Sequence, residues 1–298
     1  MPAWLGFLVT VVAALSAQGA VAAGADRLVI AVSVPPQAYF VDRIGGDRIE
    51  TVVMIPPGAS DETYAPTPAQ MVSLSKARLY VTVGHPDYLF ERRYINPFLQ
   101  THPEVEVVSM AEGVEFISMR PSEEGRVEHP GAEERYETDP HIWVAPDPVR
   151  MAVRNIARAL STADPAHAAE YQENLVRFLA DIDALNQDVR AQLAGTEHRK
   201  VIVTHPAWGY LTNQFGLEQI AIEADGKEPG PARIIALIET ARRERVKTVF
   251  VQKGFSRKSA ELIATAIDGQ VVEIDPLAYD WLANTRAVAV AFRVALQP

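Results

Sequence analysis

The chain has 298 residues, of which 48% are hydrophobic and 22% charged, a balance typical of a folded globular protein. Its formal net charge of −10 argues against nucleic acid as a partner. There is no cysteine, which excludes disulfides, thiolate metal ligands and cysteine catalysis, and leaves no cysteine for lipid attachment.

The first 22 residues carry no charged side chain and resemble a secretory signal peptide. Residues 4–15 form a continuous apolar run, and Ala20-Val21-Ala22 supplies small residues for cleavage. One feature departs from the usual pattern, because no Lys or Arg precedes the apolar run. The run is short for a membrane span, although an uncleaved anchor is the alternative. We therefore expect a soluble protein exported to the periplasm, not a lipoprotein.

Strands and helices alternate in the first half of the sequence. β-branched and apolar residues predict strands at 27–34, 49–55 and 79–83. Helical spacing predicts helices at 36–44 and 67–76, the second opened by a proline in its first turn. This alternation indicates an α/β fold with a parallel sheet.

A similar order of elements returns about 170 residues later. A shift of 171 positions aligns Pro35 with Pro206, Tyr39 with Tyr210, and Gly45 with Gly216. Further along, the pattern predicts helices at 233–243 and 256–267 and strands at 246–251 and 271–274. The sequence therefore predicts two similar lobes: an N-terminal lobe over 23–163 and a C-terminal lobe over 196–298.

A single long amphipathic helix is predicted between the lobes, over 164–195. Asp164 and Pro165 suit its start and Gly195 suits its end, while apolar residues recur every three or four positions. A helix of roughly 30 residues is about 45 Å long, so it can connect both lobes as a stiff element. Residues 118–138 are acidic, contain Gly and Pro, and predict an exposed mobile loop.

Metal-capable side chains follow several predicted strands or precede a helix. Glu62 follows the strand at 49–55, and His141 lies in DPHIW ahead of a helix beginning near Pro148. His205 follows the strand at 201–204, and Asp275 follows the strand at 271–274. Ligands of parallel α/β sheets bind where loops leave the carboxyl ends of strands. Two imidazoles and two carboxylates suit a divalent first-row metal ion, although each residue alone could be an ordinary loop residue.

Six segments together resemble the cluster A-I solute-binding proteins, which are the zinc and manganese receptors of ABC transporters. They are PPGASDETYAPTP, DPHIWVAPD, THPAWGYL, GKEPGP, VFVQKGFSRKSAE and IDPL, in family order across residues 27–295. The resemblance implies two Rossmann-like lobes with parallel sheets, bridged by one long rigid helix, with a metal ion held in the cleft between them.

The resemblance also implies which residues hold the ion. His141, His205 and Asp275 match the family's second, third and fourth ligands, whereas Glu62 stands where the family has its first histidine. Two histidines with two carboxylates resemble the manganese receptors, while His205 at the third position resembles the zinc receptors. His85, beyond the strand at 79–83, is a possible replacement for Glu62, and Asp61 is interpreted as a turn residue.

We therefore expect a monomeric periplasmic receptor that passes a divalent ion to an ABC permease in the inner membrane. Zinc is the expected ion and manganese the alternative. A metal-dependent hydrolase with Glu62 as general base remains an alternative, but no His-Glu-x-x-His helix, nucleophile elbow or phosphate loop supports an enzyme. A metal-binding adhesin is the third possibility.

Overall fold

The computed structural model describes residues 27–119, 138–223 and 228–297. The first half contains a four-stranded sheet in the order β2-β1-β3-β4, and all of its strand pairs are parallel. Its strands are β1 (Leu28–Val32), β2 (Ile49–Val53), β3 (Leu79–Thr82) and β4 (Glu106–Ser109). Chain order reverses between β1 and β3, and such a switch point creates a crevice beyond the carboxyl ends of the strands.

Four α-helices in the described part of this half accompany the sheet, and each has a proline in its first turn. They are α1 (Pro35–Gly45), α2 (Pro68–Leu74), α3 (Asn96–Thr101) and α4 (Pro146–Ala163). Proline is favoured in the first helical turn because its fixed φ suits the helix and its missing N–H has no partner there. Thr67 adds a side-chain cap to α2 by accepting a hydrogen bond from the backbone N–H of Gln70.

The predicted long helix is present as α5 (Ala168–Leu193), preceded by a short 3-10 turn at Pro165–His167. Its buried side chains recur every three or four residues, as the sequence spacing predicts: Tyr171, Leu175, Phe178, Ile182, Leu185, Val189 and Leu193. They pack against α1 and α4 of the first half and against α9 (Trp281–Ala295) at the end of the chain. Asp164 precedes the helix and accepts hydrogen bonds from Tyr171 and His167, each at 2.7 Å.

The second half repeats the topology of the first. Its sheet has the order β6-β5-β7-β8, again with parallel pairs throughout. The strands are β5 (Lys200–Val203), β6 (Glu218–Ala221), β7 (Thr248–Gln252) and β8 (Gln270–Ile274). The helices are α6 (Gly209–Gln214), α7 (Pro231–Arg243), α8 (Lys258–Ala266) and α9. The predicted fold class, two parallel α/β sheets with one long helix, is confirmed.

One large hydrophobic core runs through the first sheet, α5, α9 and part of the second sheet. A smaller core lies between the second sheet and helices α7 and α8, around Ile202, Leu237 and Ile263. None of the helices within the described ranges combines the length and apolar character needed to span a bilayer. The predicted signal segment, residues 1–22, lies outside those ranges, as do residues 120–137 of the predicted acidic loop.

Candidate metal centre

The loop between β2 and α2, residues 54–67, is closed by the side chain of Gln70. Its Nε2 donates to the carbonyl of Met54 at 2.8 Å, and its Oε1 accepts from the Tyr64 hydroxyl at 2.7 Å. One carboxamide therefore joins the start of the loop to its later part. This holds Asp61 and Glu62 in defined positions at the carboxyl edge of the first sheet.

Asp61 and Glu62 differ in burial and in the histidine they approach. The Asp61 side chain is 2% exposed, and its Oδ2 lies 3.9 Å from Nε2 of His141. The Glu62 side chain is 12% exposed, and its Oε1 lies 3.9 Å from Nδ1 of His205. Asp61 lies in a turn, as interpreted from the sequence, but its side chain is buried beside an imidazole.

His141 is held by Asp139, two residues earlier in the chain. Oδ1 of Asp139 accepts hydrogen bonds from the backbone N–H of His141 at 2.8 Å and from its ring Nδ1 at 2.7 Å. The imidazole also packs edge-on against Trp143, with ring centroids 5.3 Å apart. Both contacts fix the ring orientation, and the bond from Nδ1 leaves Nε2 as the atom available to an ion.

His205 follows β5 and has an equivalent carboxylate partner. Its Nδ1 lies 3.2 Å from Oε2 of Glu223, which follows the neighbouring strand β6. Its ring stacks on Phe255 with centroids 5.2 Å apart. Burial acts to lower the pKa of His205, but the hydrogen bond to Glu223 and the charges of Glu62 and Asp61 raise it overall.

The two histidines meet at the centre of the site, with their Nε2 atoms 3.2 Å apart. Both side chains are almost fully buried. His141 belongs to the first half of the chain and His205 to the second, so the site lies between the two halves. A separate grouping of potential ligand atoms, all within 4.8 Å of one another, comprises Glu62, His205 and Glu223.

Asp275 follows β8 at the same edge of the second sheet, but the structure does not bring it into that grouping. Its Oδ1 accepts from the backbone N–H of Leu277 at 2.8 Å, and its Oδ2 lies 3.9 Å from Nζ of Lys253. Burial raises the pKa of Asp275, opposed by the Leu277 hydrogen bond and by Lys253.

His85 is buried, but both of its ring nitrogens have protein partners. Nε2 lies 2.8 Å from the hydroxyl of Thr138, and Nδ1 accepts from the backbone N–H of Asp87 at 3.1 Å. Burial lowers the pKa of His85. The ring would have to break a hydrogen bond to bind an ion, so His85 is a poor replacement for Glu62.

Tryptophans that follow the proposed ligands in sequence lie in the core beside the site. Trp143, Trp208 and Trp281 are buried. The indole N–H of Trp143 donates to the carbonyl of Pro276 at 2.9 Å, and that of Trp281 donates to the carbonyl of Trp143 at 2.6 Å. These bonds connect the segment after His141 to the loop that carries Asp275.

Two residues of the site were missed by the reasoning from sequence. Asp139 lies inside the DPHIW motif, and its position two residues before His141 was the available signal. Glu223 follows β6, which neighbours the strand before His205, and the expected sheet order could have indicated it.

Comparison with known proteins identifies the family. Residues 30–292 match the family described as “Zinc-uptake complex component A periplasmic”. The chain belongs to the ZnuA family. It is therefore a periplasmic metal-binding component of an ABC uptake system for zinc or manganese, and not an enzyme. This confirms the family, function and fold predicted from the sequence and sets aside the hydrolase alternative.

The similarity to individual ZnuA proteins extends over most of the chain. The “High-affinity zinc uptake system protein ZnuA” of Bacillus subtilis (strain 168) is 25% identical over 277 residues, which is 88% of this chain and 82% of that protein. A crystal structure of a ZnuA superposes with a TM-score of 0.83 at 35% identity, covering 91% of this chain and 100% of the other. A ZnuA lacking residues 138–173, with zinc bound, gives 0.82 at 36% identity, covering 92% and 99%.

Proposed function

We propose that this protein captures zinc in preference to manganese, between His141 and His205, and delivers it to an ABC permease in the inner membrane. The observation that carries the proposal is the 3.2 Å separation of the two Nε2 atoms. Imidazole nitrogen suits zinc, whereas manganese favours sites made of oxygen ligands. Candidate carboxylates come from two neighbouring loops: one of the adjacent acids Asp61 and Glu62, and Asp275 at the family's fourth ligand position.

The zinc preference is supported by the relatives. The family description names zinc uptake, and the structure of a similar ZnuA contains bound zinc. A manganese-bound solute-binding protein from Pseudomonas aeruginosa, FpvC, shares the fold at only 22% identity and a TM-score of 0.75. At that identity the similarity shows a shared fold only, so it is no evidence that this protein binds manganese.

Metal binding is tested by competition between the purified, metal-free protein and a coloured chelator. We expect zinc to bind at least tenfold more tightly than manganese, and the variant with both His141→Ala and His205→Ala to lose zinc binding. Affinity should fall on acidification, because neutral imidazoles are required. Zinc at a thousandfold excess over Kd should stabilise the protein by about 4 kcal/mol. Tighter binding of manganese, or unchanged melting with both ions, would refute the proposal.

Delivery and export have separate tests. A cell that lacks this protein should need added zinc when a chelator is present, and the wild-type gene, but not the double histidine variant, should restore growth.

We propose that residues 1–22 are a cleaved signal and that the mature protein is an unlipidated periplasmic monomer. Mass spectrometry of the periplasmic protein should then give a chain beginning at Ala23, and sedimentation should give the mass of one chain. A retained leader, an attached lipid or a dimer would contradict these points.

A further inference from the structure

Each of the two central imidazoles presents the same atom to its carboxylate partner. Nδ1 of His141 lies 2.7 Å from Asp139, and Nδ1 of His205 lies 3.2 Å from Glu223. An ionised carboxylate only accepts hydrogen bonds, so each Nδ1 is the donor in its pair. In the neutral tautomer that results, each Nε2 carries a lone pair. Two lone pairs therefore face each other at 3.2 Å, an arrangement that a shared cation stabilises.

His205 offers two different faces to an ion, and one ion can use only one of them. On the Nδ1 side lie Glu62 and Glu223, which together with His205 form the compact grouping of ligand atoms. On the Nε2 side lie His141 and, beyond it, Asp61. An ion on the Nδ1 side would displace the hydrogen bond to Glu223 and would leave the Nε2 atom of His141 without a role.

Distances favour the Nε2 side. A zinc ion about 2.1 Å from each of two nitrogens 3.2 Å apart makes an N–Zn–N angle of roughly 100°, close to tetrahedral. Oδ2 of Asp61 is already 3.9 Å from Nε2 of His141, so a small movement of its side chain brings it to the ion. This side therefore offers two nitrogens and one carboxylate without breaking either histidine–carboxylate pair.

Asp61 has the bonding pattern expected of a ligand. Its side chain is 2% exposed, and among the described residues the hydrogen bond to its Oδ2 is a long one, 3.4 Å, from the hydroxyl of Tyr88. Its Oδ1 is inaccessible to solvent and has no hydrogen-bond partner among the residues that the structure describes. A buried carboxylate with so few partners is costly unless a cation lies beside it.

We propose that Asp61 is a metal ligand together with Nε2 of His141 and Nε2 of His205. Glu223 and Asp139 are positioning residues that hold the imidazoles, and Glu62 lies on the Nδ1 side of His205, away from the ion. The proposal rests on the proposed function, since it assigns the ligands of that same site. It also replaces Glu62 with Asp61 as the carboxylate supplied by the loop at 54–67.

Two isosteric substitutions at adjacent positions of the loop distinguish Asp61 from Glu62 as the metal ligand. Asp61→Asn and Glu62→Gln each remove one charge and preserve side-chain volume, in adjacent residues of one loop. In chelator competition with zinc, we expect Asp61→Asn to weaken binding by more than 100-fold and Glu62→Gln by less than fivefold. The reverse order, or equal losses, would overturn the proposal.

A second readout covers the case in which Asp61→Asn fails to fold. X-ray absorption of wild-type protein loaded with one equivalent of zinc should show two imidazole ligands and at least one oxygen ligand. In folded Asp61→Ser the visible spectrum of bound Co²⁺ should change, whereas in Glu62→Gln it should match the wild type. A wild-type zinc shell with one imidazole, or a Co²⁺ spectrum altered by Glu62→Gln and not by Asp61→Ser, would contradict the assignment.

Two substitutions of Glu223 test whether it positions His205 or binds the ion itself. Glu223→Gln retains an acceptor for Nδ1 of His205, whereas Glu223→Leu does not. We expect Glu223→Leu to weaken zinc binding by 10- to 100-fold and Glu223→Gln by clearly less, both with an unchanged Co²⁺ spectrum. A changed spectrum in Glu223→Gln would make Glu223 a ligand and refute this role.

The experiment also distinguishes two kinds of failure. If neither His141→Ala nor His205→Ala weakens zinc binding, the proposed site itself is wrong. If both histidine variants lose binding and Asp61→Asn does not, the site stands and the assignment of Asp61 fails.

Discussion

Nε2 of His141 and Nε2 of His205 lie 3.2 Å apart, although the two residues are 64 positions apart in sequence and α5 lies between them in the chain. Each ring is oriented by a carboxylate of its own half, Asp139 for His141 and Glu223 for His205. The centre therefore exists only when both halves are folded and correctly placed.

Loss of either imidazole should be more damaging than loss of any orienting carboxylate. We expect His141→Ala and His205→Ala each to weaken zinc binding by more than 100-fold, because substitution of a partner outside the coordination shell costs about 10- to 100-fold. Chelator competition measures the change. His102→Ala is the matched control, since that ring stacks on Phe98 within the first half. Wild-type affinity in either single variant would show that the ion binds elsewhere.

Substitution of Gly209, which is not a proposed ligand, tests whether Asp139 orients His141. A Cβ at Gly209 would collide with Oδ2 of Asp139 and lie 3.0 Å from Nε2 of Gln219. We expect Gly209→Ala to move Asp139 and to weaken zinc binding by about tenfold, the lower end of the range for such partners. Titration calorimetry of the folded variant measures this.

Gly230→Ala is the control for Gly209→Ala, because a Cβ there meets nothing within 4 Å among the described residues. Its zinc affinity should equal that of the wild type. An unaffected Gly209→Ala protein would mean that the contact between Gly209 and Asp139 can relax without disturbing His141.

Glu91 should make stability depend on pH. Its carboxylate is buried below the loop after β3 and accepts from the backbone N–H groups of Val83 at 2.6 Å and Gly84 at 3.3 Å, and from the hydroxyl of Ser33. Burial raises the pKa of Glu91 from 4.5 to about 7, although these hydrogen bonds act to lower it. Its contribution to stability is thus fully present below pH 4.5 and is lost as pH rises through about 7.

The measurement for Glu91 is urea unfolding of metal-free protein at several pH values. Between pH 4.5 and 8, the free energy of unfolding of the wild type should fall by about 3 kcal/mol relative to Glu91→Gln, which does not titrate. Groups that titrate elsewhere cancel in this comparison. Parallel pH profiles for the two proteins would show that the Glu91 pKa is close to its value in the unfolded chain.

Trp143 should stabilise the junction between the two halves. Trp143→Phe removes the hydrogen bond to the carbonyl of Pro276 and leaves a smaller ring in a buried site. We expect a loss of about 3 kcal/mol, measured by urea unfolding. Trp208→Phe makes the same change in size next to Phe292, with no indole hydrogen bond among the described residues, and should cost less. An equal cost for both would mean that packing, not the hydrogen bond, dominates.

Local sequence pattern predicted most of the fold because each element carries its own signal. The buried positions of α5 follow the apolar spacing, and the strand-helix alternation indicates both parallel sheets. The edge strand β4 was not predicted, since it is four residues long and mostly outward-facing. The helix α9 was also not predicted; its N-cap, Asp280, accepts from the backbone N–H of Ala283.

The metal centre was only partly predictable, because burial and ring orientation depend on contacts between distant segments. His205 was predicted as a ligand from its position after a strand, His141 from its position before a helix, and both by resemblance. The burial of Asp61 depends on Tyr88 and His141, which lie 27 and 80 positions away, and no local pattern reports it. The assignment of Asp275 as a ligand stays a prediction, and so does that of Glu62, for which Asp61 is our proposed replacement.

The large core shared by α5, α1, α4 and α9 has an energetic consequence for metal capture. When only a small fraction of a protein is in the conformation that binds the ligand, its apparent affinity is reduced by that fraction. Here, separating the halves would expose apolar side chains such as Phe178, which is fully buried in that core. We therefore expect most molecules to hold the two halves in the arrangement that binds the ion, so that the apparent affinity is close to the intrinsic one. The rate of hand-over should accordingly be set by how fast the loops at the sheet edges release the ion.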